Sequence, residues 1–331
     1  MNITVIGAGA WGTALAISLA ERHSVTLWAR DAAQVASMRA TRCNHRYLPD
    51  VQLPDNLVLS SDFSAALSGT ELVIIAVPTV ALRLTLQRLV EYGLTGYGVV
   101  WLCKGFETQT SLLPHQVAEQ VLPMGVNCGV LSGPSFALEV ARGLPTALVL
   151  ASGNEAFAQR IAHALHHSRL RVYASNDVIG VEVGGAVKNV MAIAAGICDG
   201  MKLGNNARAA VITRGLAEIT RLGLKLGGHQ ETLGGLSGAG DLILTCTGDL
   251  SRNRRVGLLL AQNQSLEEIL SQLGHVAEGV YAVQEVYRLA QRQGVDMPIS
   301  EAVYRVLYEH VPVAEMVANL LNRTTSLEFS Q

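Results

Sequence analysis

What this sequence lacks narrows its chemistry before any motif is read. Its five cysteines (Cys43, Cys103, Cys128, Cys198, Cys246) are scattered, odd in number and form no CxxC pair. Neither a disulfide framework nor a zinc site is expected, and the thiols read as the reduced ones of a cytoplasmic protein. Nine histidines are present without metal-ligand spacing, so no metal site is expected. Charge of one sign is also scarce. The 25 Lys and Arg against 27 Asp and Glu leave a net charge of −2, without the basic excess that nucleic acid or an anionic membrane attracts. The first residues run straight into an apolar segment with no basic stretch and cleavage site, which again points to the cytoplasm. Neither a solenoid-period repeat nor a low-complexity linker is visible. One long apolar stretch, Val178 to Cys198, carries Glu182 and Lys188 together with Gly180, Gly184, Gly185 and Gly196. It suits a helix buried in a soluble protein better than a membrane span.

What is present supports a large core. Of 331 residues, 49% are hydrophobic and 16% charged, enough for two abutting domains. Up to residue 176, strand-like runs alternate with helical spacing. The strands are Ile3–Ile6, Val25–Ala29, Leu57–Leu59, Leu72–Val77, Val99–Leu102, Gly129–Leu131, Thr146–Ala151 and Leu170–Tyr173, with helices at Ala32–Ala40 and Glu155–His166. That alternation predicts a doubly wound α/β domain of Rossmann type over 1–176. From 177 to 331 β-branched runs nearly vanish and helical spacing dominates, in Val178–Met201, Ala207–Leu224, Glu231–Leu233, Arg254–Gln262, Leu266–Leu273, Tyr281–Gln293, Ile299–Glu309 and Val313–Leu321. An all-helical second domain is expected.

The first strand breaks into Gly7-Ala8-Gly9-Ala10-Trp11-Gly12 and then an apolar helix. Strand, tight turn and helix in that order are what a dinucleotide pyrophosphate needs. Gly7 permits the turn, Gly9 admits the phosphates, and Gly12 lets the helix pack close to the strand. At the end of the second strand, where an acid would hold the ribose 2′-OH of NADH, stands Arg30, followed by Asp31. A guanidinium suits a 2′-phosphate, and Trp28 or Arg30 offers a surface for the adenine, so NADPH is favoured with NADH also accepted. The bland alternative makes Arg30 a solvated charge and Asp31 the cap of the next helix.

Ligands of such sheets bind beyond the carboxyl ends of the strands. Val77-Pro78-Thr79, Cys103-Lys104-Gly105 and Ser132-Gly133-Pro134-Ser135-Phe136-Ala137 occupy such ends. Lys104 places a cation there, and the Gly-Pro-Ser turn offers N–H groups and a hydroxyl to an oxyanion. Lys188 has only Gly184, Gly185, Met191 and Ala192 as helical neighbours, so no carboxylate of its own helix can pair with it. An ammonium on such an apolar face titrates low enough to act as acid and base, unless it simply snorkels to solvent. Asn189 beside it can orient a substrate oxygen. Gly234 to Leu242 reads as a glycine-rich loop presenting Asp241, with Thr245 one turn on. Ser251-Arg252-Asn253-Arg254-Arg255 offers hydroxyl, guanidinium and amide donors suited to a phosphate monoester, or else a basic helix start.

Taken together these motifs, with Gly184-Gly185-Ala186-Val187-Lys188-Asn189-Val190 and Gly238-Ala239-Gly240-Asp241-Leu242, resemble the bacterial NAD(P)-dependent sn-glycerol-3-phosphate dehydrogenase family from end to end. The resemblance implies Lys188 as proton donor and acceptor, fixed in place by Asp241. It assigns substrate contacts to Lys104, Gly133, Ser135, Asn189, Asp241, Thr245, Ser251, Arg252 and Asn253. Cofactor contacts would fall on Ala10, Trp11, Arg30, Lys104, Ala137, Arg252, Val276 and Glu278. Many relatives have Ser where Ala10 stands. A homodimer and a supply of glycerol 3-phosphate to phospholipid synthesis are also implied. Two alternatives stay open. A 3-hydroxyacid or 6-phosphogluconate-type dehydrogenase would leave Arg252 and Asn253 remote from Lys188, and a non-catalytic NADP(H) sensor would bind without turnover.

Overall fold

A computed structural model of the chain describes residues 1–93, 96–273 and 278–322. Ten strands occur in the order β1 Asn2–Ile6, β2 Ser24–Trp28, β3 Cys43–Asn44, β4 Leu48–Gln52, β5 Val58–Ser60, β6 Leu72–Ile75, β7 Gly98–Trp101, β8 Cys128–Ser132, β9 Thr146–Ala151 and β10 Leu170–Ser175. Between them lie α1 Ala10–Leu19, α2 Ala32–Thr41, α3 Phe63–Leu67, α4 Leu82–Glu91, α5 Pro114–Val121, α6 Ala137–Ala141 and α7 Glu155–Leu165. Nine helices follow: α8 Val178–Gly200, α9 Asn205–Lys225, α10 Gln230–Gly234, α11 Asp241–Thr247, α12 Arg252–Leu260, α13 Leu266–Leu273, α14 Glu278–Gln293, α15 Pro298–Tyr308 and α16 Val313–Leu321.

Eight strands form one sheet in the order β10-β9-β8-β7-β6-β1-β2-β5. Its centre is buried on both faces, so the side chains of β6 divide by pleat. Leu72 and Ile74 join α1, α2 and α7 in one core, while Val73 and Ile75 join α3, α4 and α5 in another. From β5 to β8 neighbours are parallel, but β9 runs antiparallel to β8 and β10 follows β9. The cause is local. The helix between β8 and β9 has five residues, about 7.5 Å of rise, too short to carry the chain back across the sheet. The β3–β4 hairpin and helices α3 to α6 are additions to the elements expected from sequence.

The sheet ends at Ser175 and α8 begins at Val178, capped by Asp177, whose carboxylate accepts from the Gly180 N–H at 2.8 Å. Around α8 packs a second core drawn from α9 to α16. This is the one described helix long and apolar enough to cross a membrane, and it is buried inside the protein. The glycine-rich segment expected as a loop is helical instead. Leu236–Gly240 forms a wide π-turn that runs directly into α11. Its backbone lies against Gly184 of α8, where a Cβ would stand 2.6 Å from the Ser237 carbonyl oxygen. The missing side chain at Gly184 lets the two backbones meet.

Candidate active site

Two groups of residues meet at the carboxyl edge of the sheet. The first surrounds the glycine turn. Gly7 has φ +113° and a Cβ there would lie 2.5 Å from the Ala76 carbonyl oxygen, so only glycine fits. Its N–H donates to the Trp28 carbonyl at 2.9 Å, which ties β1 to β2. Gly9 caps α1 without a side chain, and nothing lies within 4 Å of where its Cβ would be. Ala10 and Trp11 open a helix whose first turn carries no acid, which leaves the positive end of the helix suited to an anion such as a pyrophosphate. Gly12 packs on Gly7 and Ala76, and Ala137 opens α6 after the Gly133–Phe136 turn.

Arg30 is exposed just past β2 and makes no hydrogen bond or ion pair among the described residues. Asp31 beside it is engaged as the cap of α2, accepting from the N–H groups of Ala33 at 2.9 Å and Gln34 at 3.3 Å. Trp28 is not free to stack on an adenine. It lies buried against Phe63, with ring centroids 5.0 Å apart, because the strand turns it into the core.

The second group is built on α8. Lys188 is 7% exposed, and its Nζ donates to Asp241 Oδ1 at 2.6 Å and to Thr245 Oγ1 at 2.9 Å. Thr245 Oγ1 in turn donates to the Asp241 carbonyl at 2.6 Å. The other carboxylate oxygen of Asp241 accepts from Lys104 Nζ at 2.7 Å. Lys104 also donates to the Gly133 carbonyl at 3.1 Å, shared with the Ser135 hydroxyl at 2.9 Å. The partner that α8 cannot supply to Lys188 thus comes from α11. Rather than capping its helix, Asp241 is aimed at two ammonium groups.

Burial is the largest influence on both ions. It drives the Lys188 ammonium from 10.5 down to about 8, opposed by Asp241 and aided by Lys104. Burial would push the Asp241 carboxyl up, but Lys104 and Lys188 together outweigh it and hold Asp241 below its usual range. The result is a fixed carboxylate beside a lysine that exchanges its proton near neutral pH.

Next to Lys188, Asn189 Oδ1 accepts from Asn253 Nδ2 at 2.9 Å, and Asn253 Oδ1 accepts from the Gly279 N–H at 3.0 Å. Each amide therefore spends part of its capacity on the scaffold. The Ser251 hydroxyl caps α12, accepting from the Arg254 N–H at 3.2 Å. Arg252 is exposed at the first position of α12, without a bonded partner among the described residues. Glu278, half-buried at the start of α14, is pushed up by burial against the pull of Arg252, Lys104 and Lys188. Val276 lies outside the described residues. Sequence reading passed over the Ser132 hydroxyl as a separate feature. It is buried without a partner beside Gly185 and the Lys104 stem, and its place at the head of the motif at 132–137 was the one signal for it.

The model of the NAD-dependent glycerol-3-phosphate dehydrogenase N-terminus matches residues 2–158, and that of the C-terminus matches 177–318. This chain belongs to the NAD-dependent glycerol-3-phosphate dehydrogenase family. It is 59% identical over 328 residues to the glycerol-3-phosphate dehydrogenase [NAD(P)+] of Nitrosomonas eutropha, covering 99% of each chain. The protein of the same name from Thiobacillus denitrificans is also 59% identical, over 99% of this chain and 100% of that one. The crystal structure of glycerol-3-phosphate dehydrogenase from Coxiella burnetii superposes with a TM-score of 0.93 at 44% identity, over 97% of this chain and 99% of that one. The Asn189–Asn253 bond ties the start of α12 to the residue after Lys188, so Asn253 does not show the remoteness that would favour a 3-hydroxyacid or 6-phosphogluconate-type dehydrogenase.

Proposed function

We infer that the chain is an NAD(P)-dependent sn-glycerol-3-phosphate dehydrogenase, interconverting dihydroxyacetone phosphate and sn-glycerol 3-phosphate. The observation that carries this reading is the buried Lys188–Asp241–Lys104 network, with Asn189 of the same helix bonded to Asn253 next to the exposed Arg252. Gly7, Gly9, Ala10, Trp11 and Gly12 would hold the cofactor pyrophosphate, with Arg30, Lys104, Ala137, Arg252 and Glu278 as further contacts to the cofactor. When bound, the nicotinamide supplies the hydride that reduces C2 of the ketone.

Lys188 Nζ gives its proton to the C2 oxygen in reduction and takes it back in oxidation. Two of its three donors are held by Asp241 and Thr245, so its direction is set before substrate arrives. Lys104 and Asn189 stabilise charge on the same oxygen, while Gly133 and Ser135 shape the turn below it. Arg252 takes the phosphate bidentately, with Ser251 and Asn253 completing the grip. Binding energy from that remote group orients the reacting carbon.

Arg30, with Asp31 spent on its cap, supports NADPH over NADH. Five free cysteines, four of them buried, support a reducing compartment such as the cytoplasm. Homodimeric assembly and a role in phospholipid synthesis rest on the family resemblance. The deciding experiment follows NADPH oxidation with dihydroxyacetone phosphate and repeats it with NADH. Turnover with at least one cofactor, faster with NADPH, is expected; no turnover with either overturns the assignment.

A further inference from the structure

Lys104 sits on a connecting segment, residues 102–113, between β7 and α5, and one side chain of α8 holds both ends of it. Glu182 is 3% exposed. Its carboxylate accepts from the indole Nε1 of Trp101, the last residue of β7, at 2.8 Å. It also accepts from the His115 N–H at 3.0 Å and from His115 Nδ1 at 2.6 Å, in the first turn of α5. Burial would lower the His115 imidazole, but its bond to Glu182 outweighs that and raises it. Midway along the segment a second buried carboxylate, Glu285 of α14, accepts from the Gln109 N–H at 3.3 Å and from the Ser111 hydroxyl.

These bonds close a ring. From Glu182 the contacts pass to Trp101, along the chain to Lys104, across to Asp241, on to Lys188, and back down α8 to Glu182. The proton transfer described above uses no atom of Glu182. Yet a side chain carrying a buried carboxylate is an expensive way merely to pack. We propose that Glu182 is a positioning residue for Lys104: by pinning both ends of the 102–113 segment to α8, it fixes the separation of the Lys104 and Lys188 ammonium groups across Asp241. This rests on the reading of Lys188 as the proton donor and acceptor.

The charged groups facing Lys188 are Asp241, Lys104 and Glu278. Of these, only Lys104 sits on the segment that Glu182 holds. Slackening that segment should move Lys104 away and let Lys188 hold its proton to higher pH. The test uses Glu182→Gln and, independently, Trp101→Phe, which keeps a ring in the core, though a smaller one, and removes the N–H donor. Two readouts are taken: the pH dependence of kcat for glycerol 3-phosphate oxidation, and an NMR titration of 13C-lysine-labelled protein, with Lys188 assigned by its loss in Lys188→Met. Both variants should move the Lys188 titration upward by roughly 0.5–1 pH unit. Neither should move it in a Lys104→Ala background. Lowered thermal stability with an unmoved Lys188 titration overturns the proposal, and so does an equal shift without Lys104. A wild type that titrates but does not turn over would sink the proposed function, while the NMR shift still decides the role of Glu182.

Discussion

Replacing Lys188 with methionine keeps the apolar stem of the side chain out to Cε, with sulfur in place of one methylene, and removes its ammonium. The structure sets the size of the effect. With a value of about 8 instead of 10.5, roughly one Lys188 in ten is neutral at pH 7, against about one in three thousand for an ordinary lysine. Burial therefore raises the supply of base by about 300-fold. Oxidation of glycerol 3-phosphate needs the neutral amine, so its rate should climb with pH and level off above about 8. Reduction needs the ammonium and should fall through the same value. Lys188→Met should lose at least about 100-fold in kcat in both directions and lose both limbs, with NADPH affinity unchanged. Steady-state rates across this range, with a deuterium isotope effect to show that chemistry limits them, provide the assay. A methionine variant within about tenfold of wild-type turnover would refute the role of Lys188.

Stability follows the same titration with a definite sign. The folded value lies below the unfolded one, so the native state is favoured progressively as pH rises from about 8 to 10.5. The benefit, about 3 kcal/mol at most, is lost as pH falls through 8. In Lys188→Met that dependence should vanish. The variant gains no simple stability from shedding a buried charge, because Asp241 is left with Lys104 alone.

Arg30→Ala should raise the KM for NADPH and leave that for NADH nearly unchanged, since only a 2′-phosphate contact is lost; equal losses for both would refute that contact. Arg252→Ala should cost about 2–3 kcal/mol of kcat/KM toward dihydroxyacetone phosphate and little toward unphosphorylated dihydroxyacetone, a poor substrate from the start. Proportional losses on both would make Arg252 something other than a phosphate clamp. Glu218, 1% exposed, accepts from the Ile299 and Ser300 N–H groups at the start of α15, and burial pushes it up to about 7. Stability should therefore fall as pH rises from 4.5 to about 7, and Glu218→Gln should flatten that slope in urea titrations at pH 5 and 8.

The elements legible in the sequence were those whose burial leaves a periodic trace. Leu72–Ile75 is apolar at every position because both its faces are covered, and α13 and α16 begin and end where their spacing does. Strand direction leaves no such trace. Thr146–Ala151 was placed as a strand, but its reversal depends on the brevity of α6, a three-dimensional constraint. The β3–β4 hairpin is too short and polar, with Asn44, Pro49, Asp50 and Gln52, to signal itself. Glycines at 234–240 suggested a loop because propensity ignores the partner. Gly184 of α8 lets the Ser237–Gly238 backbone lie on that helix, and Gly238 lets the turn close on the Leu233 carbonyl. At the site, the isolation of Lys188 within its helix was visible, as was the cluster of donor side chains at 251–253 at the start of α12. The carboxylate that meets Lys188 lies 53 residues away, and although Asp241 stood out in its glycine-rich segment, its pairing with Lys188 entered only through resemblance to a family. Nothing local marked Trp28 as inward-facing or Glu182 as the tie to β7.

The apolar character of α8 has a consequence for the chain before it folds. Until the surrounding strands and helices close over it, residues 178–200 form a stretch that a translocation channel reads as a candidate anchor. Lys188 is the eleventh of its 23 residues, near the depth where a lysine costs about 2.5–3.5 kcal/mol to insert. The ammonium that is costly to bury in the finished protein thus biases the nascent segment away from lipid. Glu182, nearer one end, adds less. A methionine at position 188 removes the central penalty, so the variant that tests catalysis also makes this segment a better substrate for membrane insertion.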